Sequence, residues 1–413
     1  MTILIKNIAC LVNVRSKNEL LRGASLSMLP CIENAYLIIE DGIITDIGKM
    51  TDLITDKITS PENEIDATGQ FLLPTWCDSH THLVFSGSRE SEFVDKINGL
   101  SYAEIAAKGG GILNSANKLN NTSEDQLFND AWNRLNELSH LGTAAIEIKS
   151  GYGLTVESEL KMLRVIKKLK EKSSITIKST FLGAHTYPMY YKEDHEGYIN
   201  AIINDMLPVI ANENLADYID VFCETGFFSA EEMTRICKAG QQLGLKPKLH
   251  INQLNSIGGI QAAINLNAIS VDHLETMTEK DIADLSGSDT IGTLLPTAAF
   301  FLRMPFQPAR KLIDSGCAIA IASDFNPGSS PSGNMNFVVS LSCIQMKMLP
   351  EEAINAATIN AAYAMEVEKE LGSIMIGKKA SFIFTKPVSS LAYLPYAFAH
   401  NNIEKVMING VII

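Results

Sequence analysis

Phe71-Leu72-Leu73-Pro74-Thr75-Trp76-Cys77-Asp78-Ser79-His80-Thr81-His82 reads as a buried apolar strand that ends in two histidines one residue apart. Along an extended strand successive side chains alternate faces, so His80 and His82 point the same way. Two imidazoles so placed can share one metal ion. Asp78, two residues earlier, belongs to the same face, whereas Cys77 reads as a small buried residue. His-x-His alone is a short motif with many chance matches, so its weight depends on what the rest of the chain places beside it.

Working outward, apolar strand-like runs alternate with amphipathic segments. Ala144–Ile148 precedes a helix around Val156–Leu169, and Ile175–Ile177 one near Tyr198–Leu207. Tyr218–Phe222 precedes Ala230–Leu243, and Pro247–Leu249 precedes Ile257–Asn265. Ile269–Val271, Thr290–Thr293 and Ala318–Ala322 are followed by helices near Glu279–Leu285, Pro308–Ser315 and Asn336–Lys347 with Pro350–Ala361. A further helix starts at the capping-box signal Ser123-x-x-Gln126. Alternation at this period implies parallel βα units. With the strand at residue 71 there are eight, and the expected fold is an α/β (βα)8 barrel of the TIM type.

Both termini lack that alternation. Ala35–Glu40 runs into Asp41-Gly42 and returns as Ile43–Ile47; Glu404–Ile408 runs into Asn409-Gly410. These are hairpin signals. Neither end holds enough strands for a stable sheet. Together they are expected to form one small β-sandwich domain, residues 1–68 and 367–413, beside a barrel of residues 69–366.

Composition sets outer bounds. The 413 residues are 46% hydrophobic and 20% charged, as in globular proteins with ample core. A net charge of −13 argues against a nucleic-acid surface. Seven scattered cysteines without a C-x-x-C pair suit reduced thiols. No signal peptide or membrane span is read, and a cytoplasmic location is expected.

The polar residues fall at strand ends, where barrels carry their active sites. His80 and His82 end strand one, Lys149-Ser150-Gly151-Tyr152-Gly153 follows strand two, and Gly183-Ala184-His185 follows strand three. His250 ends strand five, Asp272-His273 strand six, and Ser323-Asp324 strand eight. Five of the eight histidines occupy such positions. His80, His82, His250 and Asp324 make a donor set suited to one divalent metal, Zn2+ or Fe2+. An open position there would hold a water made acidic by the metal. Asp324 and His273 are the candidate catalytic groups for proton transfer.

These motifs resemble the metal-dependent amidohydrolase superfamily and, within it, the imidazolonepropionase family. The blocks that carry the resemblance are Asp78–Phe85, Arg89-Glu90-x-Glu92-Phe93, Gly109-Gly110-Gly111-Ile112, Lys149–Leu154, Phe181–His185, Ser270–Glu275 and Ser323–Ser329. The resemblance implies hydrolysis of 4-imidazolone-5-propanoate to N-formimidoyl-L-glutamate in histidine degradation. Metal-activated water would attack the ring carbonyl, and the adjacent C–N bond would break. It implies that Arg89 anchors the propanoate and that Tyr152, His185, Gln253, Asn326, Gly328 and Ser329 contact the small-molecule substrate. It also implies a homodimer. Gln253 departs from the Glu expected in some relatives and is read as orienting substrate. Two other readings stand beside this one: another mononuclear amidohydrolase acting on a cyclic amide or imide, or deaminating a heterocycle, and a catalytically silent metal- or ligand-binding protein.

Overall fold

The computed structural model describes residues 1–54, 63–100, 104, 108 and 110–413. Gly109, part of one block named above, lies outside the described residues. Five strands come first: β1 Thr2–Val12, β2 Cys31–Glu40, β3 Ile43–Lys49, β4 Asn63–Asp66 and β5 Phe71–Pro74. Eight parallel strands follow: β6 Trp76–Thr81, β7 Thr143–Lys149, β8 Thr176–Ala184, β9 Tyr218–Cys223, β10 Lys246–Ile251, β11 Ser270–His273, β12 Ile291–Leu294 and β13 Ile319–Ile321. Three more end the chain: β14 Phe382–Thr385, β15 Ile403–Ile408 and β16 Val411–Ile412. The middle eight run in sequence order around the (βα)8 barrel, with helices between them.

The outer eight strands form one mixed sheet of order β16-β15-β14-β5-β1-β2-β3, with β4 also paired to β1. Its two ends fold toward each other. The Ala380 N–H donates to the Gly42 carbonyl, and the Gly410 N–H donates to Ala380. Isoleucines of β1, Leu37 of β2, Phe382 and Phe384 of β14 and Met407 of β15 share one core. This is the small domain built from both termini. Its two tight turns have positive φ at both central residues, 49° and 80° at Asp41-Gly42 and 51° and 82° at Asn409-Gly410. That is the geometry that twisted hairpins demand.

The run from Phe71 to His82 is not one strand. Phe71–Pro74 pairs with β1 and β14 in the terminal sheet, so the barrel begins at Trp76 and not near residue 69. Pro74 has no N–H to continue a ladder. The next two amides change partners, Thr75 donating to Ser381 and Trp76 to Gly142 at the foot of β7. A seven-residue helix, Pro296–Leu302, lies between β12 and the expected helix Ala309–Asp314. Its sequence is too uniformly apolar to show helical periodicity. The Ser123 hydroxyl caps its helix through the Gln126 N–H, but the Gln126 side chain donates to Asp130, leaving that box half made.

The barrel closes at its C-terminal rim. Beyond β13 the His82 N–H donates to Phe325 at 2.9 Å, and the Asp324 N–H to His80 at 3.0 Å. The Asp78 carboxylate accepts the Ser323 N–H at 3.0 Å and its hydroxyl at 2.5 Å. Among the described residues no helix is long and apolar enough to cross a membrane.

A Cβ on Gly42 would sit 2.7 Å from the Asn409 carbonyl oxygen, at a φ of +80°. Gly42→Ala is expected to destabilise the protein by roughly 1–3 kcal/mol, read as a lower urea midpoint with an unchanged slope.

Candidate metal centre and active-site pocket

His80 lies one residue before the end of β6 and His82 directly follows that strand, His250 lies one residue from the end of β10, and Asp324 follows β13. The alternation that puts Lys248 and His250 on one face of β10, and Ser270 and Asp272 on one face of β11, aims all of them into the barrel. Donor nitrogens of His80, His82 and His250 lie within 4.8 Å of one another. Asp324 Oδ1 stands 3.5 Å from His80 Nε2 and 3.6 Å from His82 Nε2. Four donors on a tetrahedron of ~2.1 Å radius stand ~3.4 Å apart, so Asp324 already has close to the required spacing from two of the histidines.

The hydrogen bonds around the ligands favour the same use. His80 Nδ1 donates to Asp272 Oδ2, and His250 Nδ1 to Asp220 Oδ2, each at 2.7 Å. Both imidazoles are thereby held with Nε2 free to donate a lone pair. His80 Nε2 is buried and has no hydrogen-bond partner. Burial, with neighbouring cationic and imidazole groups, pushes all three histidines well below their ordinary pKa and into the neutral, metal-binding form. Burial raises Asp324 to about 7, with His273 acting against it. The residues present fit a divalent metal.

A small pocket of about 60 Å3 opens beside these groups, lined by His82, Tyr152, His185, Phe222, His250, Gln253, His273, Asp324, Asn326 and Ser329. Arg89 and Gly328 are not among the lining residues; they meet each other at the loop that carries Asn326 and Ser329. A Cβ on Gly328 would fall 2.1 Å from an Arg89 guanidinium nitrogen, so the arginine rests where only glycine leaves room. Glu92 holds Arg89 through Nε at 2.9 Å and Nη2 at 2.8 Å. His185 donates Nδ1–H to Gly151 at 3.0 Å, and burial lowers it to about 4. His273 sits at φ +90° with Nδ1 3.4 Å from Glu275 Oε1. Burial opposes its charge, but Glu275 prevails and raises its pKa. Asp324 Oδ2 accepts the Ser329 hydroxyl at 3.3 Å. The Asn326 amide is used within its own loop, donating to the Asp324 carbonyl and Ser329 and accepting from the N–H groups of Gly328 and Ser329.

Sequence reasoning passed over the groups that hold these in place. Asp78 closes the barrel rather than facing the metal donors. Asp220 and Asp272 orient two histidines. Glu159 accepts the N–H groups of Gly151, Gly153 and Leu154 and so fixes Tyr152. Glu224 accepts those of Leu254 and Asn255, the residues after Gln253. Phe222 packs edge-on to His185 and His250 in the pocket wall. The available signal was a charged residue at every second position of otherwise apolar strands, as in Ile146-Glu147-Ile148-Lys149 and Ile219-Asp220-Val221.

Residues 214–413 match the amidohydrolase family. The chain is 58% identical to the imidazolonepropionase of Flavobacterium johnsoniae and 54% to that of Christiangramia forsetii, each match covering 100% of both chains. Among solved structures, E. coli guanine deaminase shares the fold, with a TM-score of 0.73 at 13% identity over 100% of this chain and 99% of that one. Barrel, terminal sheet and histidine-rich centre together define an amidohydrolase. Within that class, the chain belongs to the imidazolonepropionase family.

Glu159→Leu would leave three buried N–H groups without an acceptor, at a cost of roughly 2 kcal/mol or more. The expected result is a lower unfolding midpoint and faster hydrogen exchange at Gly151, Gly153 and Leu154 than elsewhere in the barrel.

Proposed function

We propose that this chain hydrolyses 4-imidazolone-5-propanoate to N-formimidoyl-L-glutamate in histidine degradation. It does so as a cytoplasmic homodimer with one divalent metal per chain, Zn2+ or Fe2+, on His80, His82, His250 and Asp324. Full-length kinship with imidazolonepropionases at up to 58% identity carries this reading. The pocket supplies groups for each demand of the chemistry. A divalent metal bound there would polarise the ring carbonyl and make water acidic enough to lose a proton near neutral pH.

The chain's own residues do the rest. Arg89, fixed by Glu92, takes the propanoate carboxylate, a task suited to a planar guanidinium. Tyr152 and His185 bracket the ring, and Gln253 orients it by hydrogen bonding. Asn326, Gly328 and Ser329 shape the wall beside Arg89 and Asp324. Asp324 receives a proton from the attacking water. His273, kept protonated by Glu275, delivers a proton to the ring nitrogen as its bond to the carbonyl carbon breaks.

Purified protein assayed on freshly made imidazolone propanoate, with metal quantified on the same sample, tests the whole reading. Turnover with one metal per chain is expected; absence of turnover in metal-loaded protein would overturn it. Arg89→Met should lower kcat/KM roughly 10²-fold, the loss of one charge-assisted pair. Hydrolysis of an imidazolone without the tail should barely change, and equal losses on both would remove the anchor role. His273→Ala should lower kcat roughly 10²-fold or more with metal content intact. Near-normal turnover by that variant would transfer the acid role elsewhere.

A further inference from the structure

A cation lies buried beneath the metal-site histidines. The Lys149 ammonium is 2.7 Å from Glu147 Oε1, 2.9 Å from Asp220 Oδ2 and 3.5 Å from Asp272 Oδ2. Those two aspartate oxygens are the same ones that accept Nδ1–H of His250 and His80. Each therefore has an imidazole on one side and the ammonium on the other. Lys149 is fully buried and does not line the pocket, and its hydrogen bonds go to the carboxylates of Glu147 and Asp220.

A (βα)8 barrel ordinarily fills this layer with branched aliphatic side chains, and buried ionic groups are costly unless well paired. Here Lys149 and Lys248 face Glu147, Asp220 and Asp272, with Lys248 Nζ 3.0 Å from Glu147 Oε2. Two ammonium groups against three carboxylates leave one net negative charge below the cation site. Burial disfavours the Lys149 charge, but the carboxylates outweigh it and raise its pKa above that of ordinary lysine. Without this cation, the buried carboxylates of Asp220 and Asp272 would repel each other uncompensated, which favours one of them turning from its histidine.

We infer that Lys149 is a positioning residue that acts through Asp220 and Asp272 to hold His250 and His80 in the orientation that takes the metal, and so sets the metal affinity of the site. The inference rests on the four-ligand metal site proposed above.

Zn2+ titration of metal-stripped full-length protein against a chromophoric chelator tests it. Lys149→Met should stay folded by circular dichroism and bind Zn2+ roughly 10- to 100-fold more weakly than the wild type. Should Lys149→Met not fold, Lys149→Gln, which keeps a donor without the charge, should show the same loss. Adding Asp220→Asn to either removes one of the two repelling charges but keeps a carbonyl for His250. The double variant should recover roughly tenfold of the lost affinity, which a merely space-filling lysine would not allow. Wild-type affinity in the single variant, or no recovery in the double, would overturn the inference. Failure of the wild-type protein itself to bind Zn2+ is a separate result, which overturns the metal site and the inference with it.

Discussion

The contact between Asp78 and Ser323 governs the rest of the centre. It joins the first barrel strand to the segment after the last across 245 residues, and with it the rim draws Asp324 against His80 and His82. The backbone there is far from relaxed. Asn252, His273, Leu274 and Asp324 all have positive φ without being glycine, a conformation that costs of order 1 kcal/mol or more at each residue. Such backbone persists only where surrounding bonds over-determine it, and here the bonds converge on the strand ends.

One device recurs around the pocket. Glu92, Glu159 and Glu224 are acidic side chains that gather loop N–H groups: Gly111 for the first, Gly151, Gly153 and Leu154 for the second, and Leu254 and Asn255 for the third. Two of these loops carry or adjoin a pocket-lining residue, Tyr152 for the second and Gln253 for the third. The result is a wall made of loops yet tied to regular elements, which gives catalytic geometry more rigidity than loops alone provide.

The clustering of His80, His82 and His250 was legible in the chain because strand alternation and barrel topology are local and general rules. His-x-His must present both rings to one side, and strand ends must meet at one rim. The hairpins at Asp41-Gly42 and Asn409-Gly410 were legible for the same reason, since few residues tolerate their φ. The division of Phe71–His82 was not, because an apolar run looks alike in two sheets and only the partners of Thr75 and Trp76 separate them. The pairing of Asp78 with Ser323, and of Lys149 with aspartates on two other strands, depends on contacts far apart in sequence. A charged residue inside a strand announces that some partner exists, not which one.

The position of β5 between β1 and β14 sets a timetable for synthesis. The Phe71 N–H donates to the Thr385 hydroxyl across 314 residues, so β5 gains its second neighbour only after nearly all of the chain has left the ribosome. Until then it presents an open edge, beside an apolar barrel strand, of the kind that recruits other chains. Asp324 is likewise made long after His80. The nascent protein therefore spends most of its translation with both its small domain and its candidate metal centre incomplete, and vectorial synthesis leaves the β5 edge open until β14 arrives.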